Sequence, residues 1–268
     1  MTLKPDRAMV VLSGGQDSTT CLFWAIRAYG KENVHAVTFD YGQAHRIEIT
    51  AAIKVADMAG VTERHEIIRV PDVLVSTSPL TNGGAGLERY DDYNQMEQVI
   101  GNRVEKTFVP LRNPFFLTLA ANRAVAVGAG RLVTGICQAD NANYPDCRDD
   151  FRVAMEFMLN HALGLVGVER VGGIPLKIEA PLMWLPKDET VRLARTLPGC
   201  WEALAYSHTS YDGRYPPTDM NHANVLRAKG FEDAGFPDPL VERAWREGLM
   251  ALPTTANYDV LRREEDGL

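Results

Sequence analysis

The sequence predicts an α/β protein: a parallel sheet with helices on both faces and a small helical lobe at the C-terminal end. Three observations carry this. Short unbroken apolar runs such as AMVVL (8–12) and VHAVTF (34–39) have the length and composition of strands buried on both faces. Segments with apolar residues at helical spacing follow these runs, so strand and helix alternate as they do in parallel sheets with right-handed crossovers. The 268 residues are 46% hydrophobic and 24% charged, the balance of a globular chain with a sizeable core.

After the strand at 8–12, Leu22, Ala25, Ile26 and Tyr29 recur at helical spacing, with Asp17 or Ser18 able to cap the start and Gly30 to end the helix. A strand at 34–39, a helix at 45–60 closed by Gly60 and a strand at 65–70 come next. Residues 71–107 lack clear periodicity and contain the glycine-rich NGGAG (82–86), which predicts a lid or insertion loop. Asn113 as N-cap and Pro114 at the first helical position open a helix over 113–130. A strand (131–136), a helix (148–163), a strand (176–180) and a helix (186–197) complete a domain spanning 1–200. In the lobe, 201–268, Leu240, Ala244, Trp245 and Leu249 form a helical stripe within the extension 230–253, where core packing is the expected role of Trp245.

A net charge of −7 disfavours a broad phosphate-backbone surface, so small-molecule substrates are expected and no nucleic acid. The N-terminal residues lack a secretory pattern and no apolar run reaches membrane-spanning length, which predicts a cytoplasmic protein without a membrane partner. Cys21, Cys137, Cys147 and Cys200 form no CxxC pair, so spacing indicates neither a disulfide framework nor a zinc knuckle. Cys137 and Cys147 are expected to be buried thiols rather than nucleophiles.

Ligands of parallel sheets sit beyond the carboxyl ends of the strands. Four polar segments directly follow strands and should meet on one rim: SGGQDS (13–18), DYGQAHR (40–46), CQADNANYPDCR (137–148) and PLMWLPK (181–187). In the first, a glycine turn feeding a helix presents backbone N–H groups and the positive end of a helix dipole, which suit phosphate. It is neither a Walker A loop nor GxGxxG. A bare Ser-Gly-Gly is most often only a tight turn, but VxxSGGxDS after a strand points to nucleotide.

That motif resembles the pyrophosphate loop (PP-loop) of the N-type ATP pyrophosphatase superfamily, whose members share a Rossmann-like, adenine nucleotide alpha hydrolase-like fold and cleave ATP to adenylate a substrate oxygen. SGGQDSTTCL, FDYGQAHRIE (39–48), FVPLRN (108–113), TGICQADNANYPDCR (134–148) and EAPLMWLPKDET (179–190), in that order, resemble the 7-cyano-7-deazaguanine synthase (QueC) family over most of residues 8–230. The resemblance implies a homodimeric ligase using ATP and Mg²⁺ to convert 7-carboxy-7-deazaguanine and ammonia to 7-cyano-7-deazaguanine through an acyl-adenylate. Asp17 near the metal, Lys187 on a phosphate and Arg148 facing the substrate carboxylate are the expected catalytic residues. Nucleotide contacts are expected from Leu12, Ser13, Gly14, Gly15, Gln16, Asp17, Ser18, Thr19, Phe39, Tyr41, Gln43 and Arg112, with Asn113 mainly a cap. Tyr144, Asp146 and Arg148 are expected to bind the base; His45 and His208 are weaker candidates as general bases.

One departure stands out. Aligned on YDG and LRAKG, the four cysteines that bind structural zinc in the QueC family become Ser210, Thr218, Asn221 and Asn224, so no structural zinc is expected. Two alternatives remain open: a QueC-like paralogue that transfers the activated deazapurine carboxylate to another amine, and a non-catalytic nucleotide-binding module.

Overall fold

The computed structural model describes residues 2–42, 47–71, 73–81, 86–138, 143–167 and 173–265. Strands β1 (Lys4–Val11), β2 (Val34–Asp40), β3 (His65–Arg69), β4 (Ala129–Val133) and β5 (Lys177–Glu179) form one parallel sheet in the order β3-β2-β1-β4-β5. The α-helices are α1 (Gln16–Tyr29), α2 (Ile47–Met58), α3 (Tyr93–Ile100), α4 (Arg112–Val127) and α5 (Asp149–Ala162). They continue with α6 (Lys187–Thr196), α7 (Cys200–Leu204), α8 (His222–Ala234), α9 (Pro239–Arg246) and α10 (Asp259–Glu265).

Successive strand side chains point to opposite faces, so β1 serves two cores. Ala8 and Val10 pack with Leu22 of α1, Val55 of α2, Val191 of α6 and Phe231 of α8. Met9 packs with Leu117 and Ala121 of α4 and Leu159 of α5. Helices therefore cover both faces, as the alternation predicts. The strand order reverses at β1, with β2 on one side and β4 on the other, which opens a crevice at the carboxyl ends of these strands. Among the described residues no helix is long and apolar enough to cross a membrane.

Several element starts differ from the sequence expectation. The N-cap of α1 is Gly15, without a side-chain cap, and Asp17 and Ser18 lie inside the first turn. Leu111, in left-handed backbone with φ +62°, is the N-cap of α4, so Asn113 is not a cap. Its side-chain amide donates instead to the Asp146 carbonyl at 3.1 Å, a tertiary bond replacing the local one. Gly128 ends α4, and β4 begins at Ala129 rather than at 131.

Residues 71–107 also differ from an unstructured loop, because α3 lies within them. Asp92 accepts from the Gln95 backbone N–H at 2.8 Å, and Met96 and Ile100 pack on Val225 and Leu226 of α8. An eight-residue helix is too short for its periodicity to stand out, although an acid capping a glutamine three residues on was a readable start signal. The Tyr90 N–H donates to the Met220 carbonyl at 2.9 Å, and Arg89 pairs with Asp219 at 2.5 Å.

Helix α8 carried no amphipathic signal because it is buried almost all round: Val225, Leu226, Arg227, Gly230 and Phe231 are all inside. All five Arg227 donors are engaged, by the Asp238 carboxylate (2.6 and 2.8 Å), the Ser207 and Thr209 hydroxyls (both 2.8 Å) and the Leu204 carbonyl (3.3 Å). Asp238 also caps α9. The expected stripe is corrected: α9 stops at Arg246, so Leu240 and Ala244 are buried, Trp245 is half-buried and Leu249 is exposed.

Candidate active site

The carboxyl ends of β1, β2 and β4 and the starts of α1, α4 and α6 surround a cavity of about 460 Å³. The turn after β1 forms its floor. Gly14 has φ +86° because the backbone must turn there, and a Cβ would stand 2.4 Å from the Glu48 carbonyl oxygen and 2.7 Å from the Ala52 nitrogen of α2. Beyond it the turn is closed by its own hydroxyls. Ser13 and Ser18 share a hydrogen bond at 2.9 Å, the Ser13 N–H donates to Ser18 Oγ at 3.1 Å, and Ser18 Oγ donates to the Gly15 carbonyl at 3.2 Å. The C-terminal region buttresses it, the His208 N–H donating to the Gly14 carbonyl at 2.8 Å.

Below this turn lie polar atoms the protein does not satisfy. Gln16 is 3% exposed, and among the described residues neither its side-chain oxygen nor its nitrogen has a partner; the buried Thr19 hydroxyl lacks one as well. Such groups destabilise a fold unless a ligand or water meets them. Together with the uncapped N-terminus of α1, the Gln16 amide, which lines the cavity, fits a phosphate chain approaching the turn; the Thr19 hydroxyl lies beneath the lining.

Asp17 and Lys187 both line the cavity and pair at 2.8 and 3.0 Å across 170 residues of sequence. Gly230 makes this possible, since a Cβ there would meet Lys187 Cγ at 2.5 Å and push the lysine stem off α8. Arg112 lines the opposite rim with Tyr41 and Tyr144. Burial works against its charge, but the phenols of Tyr41, Tyr144 and Tyr211 outweigh it, and its pKa is pushed up. Burial also drives the Glu48 carboxyl up to about 7 despite the opposing pull of Arg112.

Most of the residues expected from the sequence meet here. Leu12, Ser13, Gly15, Gln16, Asp17 and Ser18 line the cavity, as do Phe39 and Tyr41 from the next segment. Phe39 stacks on Phe116 at 4.5 Å between ring centroids. Gly14 and Thr19 lie beneath the lining, and Gln43 and His45 fall outside the described residues. Tyr144 and the exposed Arg148 line the cavity; Asp146 does not, its carboxylate accepting from the Asn113 backbone N–H at 3.3 Å. Cys137 and Cys147 are thiols outside any disulfide at the cavity wall, the first buried and the second half-buried. Sequence reasoning missed Glu48, Phe116, Thr209, Tyr211 and His222. Glu48 lay inside the segment FDYGQAHRIE and Tyr211 opens the YDG on which the zinc positions were aligned, where the resemblance drew attention to their neighbours.

The profile of a family described as queuosine biosynthesis protein QueC matches residues 7–235. The chain belongs to the QueC family. It is 45% identical to 7-cyano-7-deazaguanine synthases of Chromobacterium violaceum (246 residues; 90% of this chain, 96% of the relative) and Laribacter hongkongensis (243 residues; 89% and 96%). The synthase of Gloeobacter violaceus is similar at 45% over 236 residues, 87% of this chain and 95% of the relative. Among solved structures, the U34-tRNA thiolase NcsA of Methanococcus maripaludis aligns with a TM-score of 0.35 at 16% identity, covering 99% of this chain and 72% of that one, too distant to bear on function. This chain is thus an enzyme of the QueC family.

Against its QueC relationship, the positions aligned with zinc-binding cysteines hold a different chemistry. Ser210 Oγ accepts from the side-chain amides of Asn221 at 3.1 Å and Asn224 at 2.8 Å and donates to Asp212 at 2.5 Å, while Thr218 is exposed and takes no part. A hydroxyl and two amides bonded to one another do not fit a zinc ion. Among the described residues no group of three or more His, Cys, Asp or Glu is arranged to hold a metal.

Proposed function

We propose that this chain converts 7-carboxy-7-deazaguanine and ammonia to 7-cyano-7-deazaguanine at the expense of ATP. Relatives of that name align with about nine-tenths of the chain, and one observation in the cavity supports a nucleotide substrate above the rest: the buried, unpartnered Gln16 amide beside the Ser13–Ser18 turn. A carboxylate oxygen of the substrate attacks the α-phosphorus of ATP and pyrophosphate leaves. Ammonia then attacks the acyl carbon and displaces AMP, giving the amide; a second adenylation, on the amide oxygen, lets AMP depart as the nitrile forms and protons are lost to solvent.

Each step places negative charge on phosphate oxygens, so positioned cations and N–H donors do most of the work. In this reading the N–H groups of the first turn bind the pyrophosphate, Lys187 contacts a second phosphate, and Arg112 holds negative charge on the opposite rim. Asp17 is the carboxylate beside the turn that would hold Mg²⁺, which would supply neutralising charge to the pyrophosphate oxygens. Tyr144 and Arg148 receive the base and its carboxylate. His208 donates from Nε2 to the Ser210 carbonyl at 2.8 Å, a bond that fixes its tautomer with Nδ1 as the basic nitrogen.

The test is to incubate the purified chain with ATP, Mg²⁺, ammonium and 7-carboxy-7-deazaguanine, following AMP, pyrophosphate and product mass. Nitrile with AMP release is expected. AMP release dependent on the acid but without nitrile would redirect the proposal to another amine acceptor, and no ATP consumption would leave a binding module.

A further inference from the structure

Buried polar atoms without partners cluster in two places among the described residues: Gln16 and Thr19 under the first turn, and His222 and Asn224 at the start of α8. Thr19 does not line the cavity, and the nucleotide reading accounts for Gln16, which does. Nothing in it uses His222, which is 4% exposed, lines the cavity beside Tyr211 and Leu226, and has no partner at either ring nitrogen.

Burial holds this imidazole in its neutral form, lowering its pKa to about 4, with Glu105 opposing and Lys187 reinforcing that shift. A neutral ring carries one donor and one acceptor, and here the protein meets neither. The ring also sits on a rigid support. Asn221 caps α8, Val225 and Leu226 pack on α3, and Gly230 packs on Lys187. A packing residue in that position would be better apolar, since an imidazole sealed away with two unmet nitrogens destabilises the fold. The cations of the cavity, Lys187 and Arg112, suit phosphate and carboxylate. A neutral donor–acceptor pair suits the remaining part of the acceptor, a planar heterocycle edged with ring N–H and carbonyl groups.

We propose that His222 is a substrate-binding residue, which hydrogen-bonds the polar edge of the deazapurine through a ring nitrogen left unpaired by the fold. This rests on the reading above that the acceptor is a deazapurine carboxylic acid.

Two variants test it: His222→Leu, which fills the space without polar atoms, and His222→Gln, which retains a donor and an acceptor. Binding of 7-carboxy-7-deazaguanine is measured by calorimetry without nucleotide, with KM for the acid and for ATP, and Tm, in parallel. The leucine variant is expected to bind the acid about tenfold more weakly, to keep its KM for ATP within about twofold, and to melt no lower than the wild type. The glutamine variant should recover part of the affinity. Equal affinity of wild type and leucine variant for the acid overturns the proposal. So does a leucine variant that melts well below the wild type while the glutamine variant keeps full stability but no affinity advantage. A wild type that binds the acid yet releases no AMP overturns the reaction proposed above and leaves the His222 result standing; one that does not bind the acid overturns both.

Discussion

The first turn and the Arg227–Asp238 cluster on α8 use the same kinds of group, small hydroxyls and one carboxylate–cation pair each, to opposite ends. Around α8, Arg227 uses all five donors and Asp238 answers with both oxygens and a helix cap. At the turn, the serine hydroxyls satisfy one another, but Gln16 and Thr19 beneath them are left with unmet atoms. Asp17 and Lys187 pair at the edge of an open cavity rather than inside the core: their side chains are 26% and 12% exposed, against 3% and 2% for Asp238 and Arg227. Saturated polar networks fasten a fold, and unsaturated ones beside a cavity await a ligand. Mutations in the two places should therefore separate stability from turnover.

The largest effect is expected at Arg227. Arg227→Met leaves the Asp238 carboxylate buried without its partner and should cost about 3–5 kcal/mol of stability in denaturant unfolding, with the folded fraction still turning over. A variant that unfolds no earlier than wild type would break the contrast. Lys187→Met should do the reverse, lowering kcat about 10²- to 10³-fold in a pyrophosphate-release assay with little change in Tm. Equal losses of activity and stability at Lys187 would show that its pair with Asp17 is a fastener like the one at Arg227.

Glu48 gives a smaller, pH-dependent effect. Its folded pKa is raised to about 7 by burial, so between its ordinary value and about 7 the folded chain holds a proton that the unfolded chain has lost, and this group's contribution to stability falls as pH rises. Glu48→Gln should thus gain Tm relative to wild type at pH 8 compared with pH 5.5, by about 2–4 °C. A constant difference across that range would place the carboxylate in contact with solvent. Smallest of all is the effect of a chelator. Because Ser210, Asn221 and Asn224 bond to one another, EDTA should leave Tm unchanged within about 1 °C, and elemental analysis should find no tightly held zinc. One zinc per chain, with a Tm lowered by chelation, would show that a metal fastens this region as well.

Local signals carried much of the architecture. Apolar runs of strand length, glycines at helix ends and the VxxSGGxDS turn depend on a few neighbouring residues, so they remain legible without a fold. Where a longer-range bond competed, the local signal misled. Asn113 looks like a cap but reaches Asp146 instead, and Leu249 extends a stripe whose helix has already ended. Helix α8, buried over most of its surface and carrying the polar His222, Asn224 and Arg227 on the inside, offered no stripe to read.

The sequence by itself determined the alternation of strands and helices, the strand ends that form the rim and the chemistry of the first turn, because each depends on backbone preferences and side-chain spacing within a short window. Only the tertiary structure decided that Lys187 meets Asp17 over the bare Cα of Gly230, that Asp146 is buried against Asn113, and that Gln16 and His222 are buried without partners among the described residues. Whether a polar group is satisfied depends on what packing brings to it from distant parts of the chain, and no local pattern records that.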